Sequence, residues 1–391
     1  MEICEDKSCT GCGACAEVCP KQCISMKPDE EGFLKPMVNE QLCVQCKKCI
    51  RICPSNQTYA ERNIDWTTKA YSYIHPDQII LGHSTSGGAF SALAEWIINK
   101  GGCVFGAAYD ENFNVKLKMA ETMPELEVMR GSKYVECNTS DSYKKAKKAL
   151  EDKRYVLYTG SPCHVAGLYA TLGNMDCSKL YTIELLCHGV PSTKLFHSYI
   201  DYLQKKYGKI IYYSFRDKKK WGWGCWGCFR YKKDADIKTK NFVVASDYYY
   251  SLFFKENCFR ESCYSCKYAS LPRLADITIG DYWGIEKERP YSEIKNGVSL
   301  VLSNNQHGEE LLQTLGNRLE TADLESVKNL NLTIIHGTYR QESRTDFYKN
   351  FAQYGFLDTA KKYVKIRRCI PILARYMPSN LKDIIKKMVK H

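Results

Sequence analysis

Hydrophobic and polar positions along this chain follow two periods in turn. Residues 69–75 (KAYSYIH) read as a strand, and 90–100 (FSALAEWIINK) as a helix with apolar residues at helical spacing, ended by Gly101 and Gly102. Residues 102–109 (GCVFGAAY) read as a buried strand, and 114–121 (NVKLKMAE) alternate like a half-exposed one. Residues 140–152 predict an amphipathic surface helix, 154–160 (RYVLYTG) another buried strand and 164–173 a helix. A strand at 179–187, a helix at 193–208 and a strand at 209–216 continue the alternation. Strand–helix alternation predicts an α/β body whose sheet is at least partly parallel. From residue 227 onward, short runs rich in Tyr, Phe and Val predict a more β-rich second half. The polar, aperiodic residues 55–66 read as a linker.

Composition narrows the class. At 391 residues, with 44% hydrophobic and 26% charged positions, the chain has the make-up of an ordinary globular protein of two or three domains. Of the net charge of +12, the last 33 residues supply +9, with ten Lys/Arg against one Asp. The rest is near neutral, which removes the basis for a nucleic-acid reading. There is no apolar leader behind MEICEDKSCTG and no run of about 18 apolar residues, so the expected location is the cytoplasm. In that compartment thiols stay reduced, and clustered cysteines read as metal or redox chemistry.

Cysteine is the outlier: 21 in all, ten of them in the first 53 residues. Cys9, Cys12, Cys15 and Cys19 precede Pro20, and Cys43, Cys46, Cys49 and Cys53 precede Pro54. Both runs are C-x2-C-x2-C-x3-C-P, the bacterial iron–sulfur pattern in which the fourth cysteine serves the other cluster. Two [4Fe–4S] clusters are therefore expected. Cys9, Cys12, Cys15 and Cys53 would hold one, and Cys43, Cys46, Cys49 and Cys19 the other. Zinc sites use paired C-x2-C units rather than such triplets. Cys4 and Cys23 fall outside the pattern and read as small buried hydrophobes. Residues 32–38 (GFLKPMV) read as the short strand between the boxes. The expected organisation is an α+β ferredoxin-like domain (1–58), then a mixed α/β body in two parts (67–200 and 201–340, the second the more β-rich), then a basic helical tail (341–391).

The body carries further motifs. Thr85-Ser86-Gly87-Gly88 opens a helix, where glycines and the helix dipole suit an anion, although such a start is also an ordinary turn. Thr159-Gly160-Ser161-Pro162-Cys163-His164 ends a strand and opens a helix, which lowers a thiol pKa and marks a strand-end site. Leu186-Cys187-His188-Gly189 lies at another strand end, and Cys263-Tyr264-Ser265-Cys266 is a C-x2-C. Together these supply four soft ligands, enough for one more [4Fe–4S] cluster or one zinc. Cys225 and Cys228 form a rival C-x2-C, and Cys258 lies five residues before Cys263.

In order along the chain, SGGAFSALAEWI, GGCVFGAAYD, RGSKYVECN, YTGSPCHVAGL, LLCHGVPS, FRDKKKWGW and SCYSCKYASLPRLADITIGDYWGI follow the cysteine boxes. This succession, over about residues 1–320, resembles the family of beta subunits of coenzyme F-420-reducing hydrogenases and dehydrogenases; 7-hydroxymethyl chlorophyll a reductase resembles the same group. The resemblance implies FAD and a cluster inside the body. It implies Cys163, Cys187, Cys263 and Cys266 as that cluster's ligands. It implies Ser86, Gly87, Gly88, Gly131, Ser132, Lys133, Tyr134, Thr159 and Gly160 as the FAD lining, with Lys133 a cation suited to a reduced flavin. The fused two-cluster domain and the basic tail depart from the hydrogenase subunits and leave the deazaflavin substrate open.

The expected function is that of an iron–sulfur flavoprotein oxidoreductase. Electrons would pass between the N-terminal clusters and FAD, with hydride exchanged with an organic substrate. His164 and His188 are the candidate acid/base groups, with structural hydrogen bonding beside the cysteines as the alternative. The rival expectation is a flavin-free iron–sulfur electron-transfer subunit serving a partner enzyme, and a third is a zinc-stabilised binding module. Expected partners are a redox protein or an external ferredoxin and a small-molecule or lipid-linked substrate. In residues 359–391, Ile384, Ile385 and Met388 share short helical pieces with lysines. That tail reads either as a peripheral membrane contact or as a basic helix on the body.

Overall fold

The computed structural model describes residues 1–57 and 63–366. Residues 367–391 of the basic tail, including Ile384, Ile385 and Met388, lie outside the described residues.

The N-terminal segment has α1 (Ala14–Glu17), a hairpin of β1 (Ile24–Pro28) and β2 (Leu34–Val38), and α2 (Lys48–Ile52). The strands pair antiparallel, Ile24 opposite Val38, and a small cluster of Ile3, Cys15, Cys23, Ile24, Cys49 and Cys53 fills the space between hairpin and helices. So little apolar surface is a thin core for a domain of this size, and the segment is also held from outside by the body.

The first part of the body contains β3 (Lys69–Tyr73), α3 (Gln78–His83), α4 (Ala89–Asn99), β4 (Cys103–Tyr109), β5 (Val115–Ala120), α5 (Met123–Glu127) and β6 (Cys137–Asn138). It continues through α6 (Ser142–Glu151), β7 (Val156–Gly160), α7 (Pro162–Leu172), β8 (Leu180–Leu185) and α8 (Thr193–Tyr207). The second part has β9 (Lys209–Ser214), β10 (Trp226–Lys233), β11 (Asp236–Val243), α9 (Tyr248–Phe254), β12 (Ile277–Asp281), α10 (Tyr291–Ile294), β13 (Ser299–Ser303), α11 (Gln306–Gln313), β14 (Leu319–Ala322) and α12 (Leu324–Leu330). A last helix, α13 (Arg344–Tyr363), is broken at Gly355, whose φ of 72° is left-handed. The fold is thus mixed α/β, and the helices between β9 and α13 are short.

One sheet of nine strands organises the body, in the order β14-β3-β13-β12-β8-β7-β4-β5-β6. Its centre is parallel: β12 with β8, β8 with β7, β7 with β4. Antiparallel β13, β3 and β14 extend one side, and antiparallel β5 extends the other. Strands from both parts of the body therefore share this sheet. Central strands are buried on both faces, as a parallel sheet covered by helices requires. Val156 and Tyr158 enter the core beneath α6, α7 and α8, while Leu157 enters the opposite one with Leu93, Ile97 and Leu311. The remaining strands form an antiparallel sheet, β11-β10-β9. No helix among the described residues is long and apolar enough to cross a membrane.

Candidate functional site

The two cysteine boxes fold alike. Each places two left-handed residues around its second cysteine: Gly11 and Gly13 (φ 70° and 76°) flank Cys12, and Gln45 and Lys47 (φ 53° and 57°) flank Cys46. These turns open α1 and α2 and bring the thiols of each triplet to one side. Cys9, Cys12 and Cys15 line one cavity together with Cys53. Cys43, Cys46 and Cys49 line another together with Cys19. Each cavity has a fifth thiol that the spacing did not single out. Cys4 stands in the first, hydrogen-bonded to Cys9 and Cys53 and drawing both thiols below their ordinary pKa. Cys23 stands in the second, its Sγ 3.3 Å from Cys19 Sγ.

A triplet of thiols facing a fourth across one pocket, in each box, is the donor set that a cubane takes. Among the described residues, no group of three or more His, Cys, Asp or Glu is spaced for a single metal ion.

The first cavity is sealed against the body. Tyr143 Oη lies 2.8 Å from the Cys12 carbonyl and 3.1 Å from that of His164, so α6 reaches both the box and α7. Thr139 Oγ1 donates to Cys12 O at 3.0 Å, and Ser262 Oγ to Cys9 O at 3.1 Å. Arg260 donates to Cys9 O (3.3 Å) and Leu34 O (3.2 Å) and pairs with Glu136, both side chains being almost fully buried. Glu136 in turn accepts the Leu34 N–H at 3.1 Å on each oxygen. The glycines of the first box are where this contact is tightest. A Cβ at Gly11 would stand 2.6 Å from Arg260 Nη2, and one at Gly13 would stand 2.6 Å from Thr139 Oγ1.

Behind this junction lie the body thiols. Cys163 sits in the first turn of α7, just past β7, and Cys187 follows β8, at the carboxyl edge where α/β sheets hold ligands. Cys263 and Cys266 join them. Burial first, then the neighbouring thiols, pushes Cys163 up to about 12 and Cys187 up to about 11, and Cys263 rises for the same reasons. These four thiols thus lie within electrostatic reach of one another. Cys163 also helps to raise the Cys12 thiol across the junction, and both act on Tyr143 between them, so the quartet and the first cavity are neighbours. Cys225 and Cys228 face other groups: Cys225 lies beside Arg216 and Asp281, and Cys228 beside Asp217. Cys258 is buried, with its Sγ toward Leu252 O.

The other expected site residues divide. Segments 85–88 and 131–134 do meet: Ser132 N donates to Thr85 Oγ1 at 2.8 Å, and the two hydroxyls are 3.0 Å apart. Ser86 Oγ donates to Val298 O at 2.6 Å. Gly87 is pressed on backbone, a Cβ there falling 2.0 Å from Tyr73 O. Gly88, left-handed at φ 86°, caps α4. Lys133 turns its ammonium onto the carbonyls of Val128, Met129 and Arg130, and burial pulls its pKa to about 7. Tyr134 stacks on Phe253 with ring centres 4.5 Å apart, and its hydroxyl accepts from Arg216 Nη1 at 3.1 Å. Thr159 is buried with no partner for Oγ1, and Gly160 lies against the His164 ring. His164 is buried, and burial together with Arg260 pulls its pKa to about 4, so it is neutral at pH 7. His188 is exposed, its carbonyl held by Thr338.

Sequence reasoning missed the buried charges. Arg216 is paired with Asp281 at 2.7 Å and lies over the Trp283 ring; Trp223 stacks on Trp283 and donates to Asp281 at 2.8 Å. Lys218 donates to the carbonyls of Leu81 (3.0 Å), Ser86 and Asn296. Glu184 on β8 pairs with fully buried Arg273. For Glu184 there was a signal, the one charged side chain inside a mostly apolar strand.

The C-terminal region of the coenzyme F420 hydrogenase/dehydrogenase beta subunit matches residues 153–327, which hold the cysteine quartet, and a 4Fe–4S dicluster domain matches residues 8–57. Residues 153–327 thus carry that subunit's C-terminal region, behind a 4Fe–4S dicluster domain. The chain is 25% identical over 290 residues to the F subunit of the F(420)H(2) dehydrogenase of Methanosarcina mazei, covering 71% of this chain and 77% of that relative. A chain of the xenon-derivatised F420-reducing [NiFe] hydrogenase complex from Methanosarcina barkeri aligns with a TM-score of 0.44 at 19% identity, covering 75% of this chain and 90% of that one. The N-terminal domain of this chain is a 4Fe–4S domain.

Proposed function

We propose that this chain is an iron–sulfur electron-transfer subunit that carries single electrons between a redox partner and an oxidoreductase assembly. The observation that carries the proposal is the series of three neighbouring thiol groups: the pocket of Cys19, Cys43, Cys46 and Cys49, the pocket of Cys9, Cys12, Cys15 and Cys53, and the body thiols Cys163, Cys187, Cys263 and Cys266. Bound at these thiols, [4Fe–4S] clusters would supply one-electron exchange without protons. The protein's part is to fix their separations. Tyr143, Thr139, Ser262 and Arg260 bind the backbone of the first box to the body, and Lys267 binds the carbonyls of Pro54 and Gln57 behind Cys53.

A second reading adds FAD to the body and makes the chain itself the enzyme that exchanges hydride with an organic substrate. The joined Thr85 and Ser132 segments and the partnerless buried Thr159 hydroxyl support it. The Lys133 ammonium, held by three carbonyls, does not. Anaerobic purification with iron, sulfide and flavin quantitation tests both. About twelve irons per chain supports three clusters, at four irons each. About eight irons overturns the body quartet. One flavin per chain establishes the second reading, and none leaves an electron-transfer subunit. Cys187→Ala is expected to lower the iron content by about four, the same amount lost if one cubane goes.

A further inference from the structure

The two boxes share a backbone and differ in what surrounds them. In the first, Cys9, Cys12, Cys15 and Cys53 are all buried, and the two left-handed positions are glycines because the body presses on them. In the second, Cys46 is exposed, and the same two positions are Gln45 and Lys47. A left-handed conformation costs a residue with a Cβ roughly 1 kcal/mol or more. The second box bears that cost twice, at a loop the body leaves free, and the result is a lysine projecting beside the cavity mouth.

The mouth has a definite chemistry. Lys21, Lys47 and Lys48 are exposed on its wall, and no carboxylate lines it. Val44, 58% exposed, and Met1, 40% exposed, supply apolar surface between the lysines. The nearby Glu40 carboxylate is taken up by the chain's own N-terminal ammonium at 2.7 Å. An apolar centre with a rim of one sign is the composition of a transient protein-docking face, and the charge selects a partner of opposite sign.

We propose that this face, at the Cys43–Cys49 loop, is the docking site of a soluble, acidic one-electron carrier protein, and that electrons cross the chain's surface here. The inference rests on the electron-transfer reading above. A [4Fe–4S] cluster held by Cys43, Cys46, Cys49 and Cys19 would take one electron as the reduced carrier gave one up, with no bond formed or broken and no proton moved.

The test is binding, with the holoprotein and a purified acidic plant-type [2Fe–2S] ferredoxin as probe. Calorimetry at low ionic strength is expected to give saturable one-to-one binding that weakens as salt rises. Lys21→Glu/Lys47→Glu/Lys48→Glu, with iron content intact, is expected to weaken it by about tenfold or more. No binding by the wild type, or a triple variant that keeps its iron and binds within twofold of the wild type, would overturn the proposal. Should the variant lose iron, carbodiimide cross-linking of the wild-type pair decides. Cross-links at Lys21, Lys47 or Lys48 support the face, and cross-links confined to other lysines refute it. Iron content of the wild type separately tests the reading on which the inference rests.

Discussion

Arg260→Met is the sharpest probe of how the cysteine domain is held. The guanidinium is 3% exposed and its partner Glu136 4%. It also caps Cys9 O and Leu34 O and lies 4.8 Å from the centre of the Phe33 ring. Removing it leaves the Glu136 carboxylate buried without a counter-charge, which costs about 3–5 kcal/mol. The Leu34 amide, bonded only to that carboxylate, is the local reporter. Hydrogen–deuterium exchange of a peptide covering residues 33–35 should therefore lose protection by between about a hundredfold and a few thousandfold, tenfold per 1.4 kcal/mol. Amides of β7 in the sheet centre should be unchanged. Glu136→Leu/Arg260→Met should be milder than the sum of the single changes, because no unpaired charge remains. Protection at residues 33–35 within threefold of wild type in the single variant would refute the reasoning.

Gly167→Ala would set a Cβ 2.3 Å from Tyr143 Oη and 3.3 Å from Cys12 Cβ, forcing α7 and the first box apart; iron should fall by about four per chain, read by colorimetric assay. Lys218, buried, has its pKa pulled from 10.5 to about 7. Between those values the unfolded chain holds a proton that the folded chain lacks, so the group makes stability rise with pH across that window and leaves it at its lowest below pH 7. Lys218→Gln should remove about 1.4 kcal/mol per pH unit from that slope, measured by urea unfolding from pH 7 to 10. Gly87→Ala has only backbone to push against, at Tyr73 O and Ser299 N; it should destabilise the body by about 1–3 kcal/mol or more, seen as a lower urea midpoint.

What could be read beforehand was what repeats or alternates locally. The helix at Ala89–Asn99, its glycine end and the buried strands at Cys103–Tyr109 and Val156–Gly160 follow from short-range periodicity. The cysteine spacing led to the pairing of each triplet with the distant fourth cysteine in one cavity, because a short helix fixes where each side chain points. Contacts made across hundreds of residues were silent. Nothing in NCFRESC marks Arg260 as the residue that meets Glu136, 124 positions away. Cys4 and Cys23 had no spacing to identify them, and only the closed hairpin brings them to the cavity walls. Strand order was equally hidden, since β3 pairs with β13 across more than two hundred residues.

One such long-range contact bears on how the molecule is made. Arg344, opening α13, binds Glu31 of the hairpin turn through paired bonds of 2.6 and 2.5 Å, spanning 313 residues. At about 5–20 residues per second, a ribosome needs roughly 15–60 s to deliver the second residue after the first. Through that interval the cysteine domain, whose own core is thin, exists without its clamp. Once α13 is released, the chain's last described helix locks the hairpin of the domain that was synthesised first.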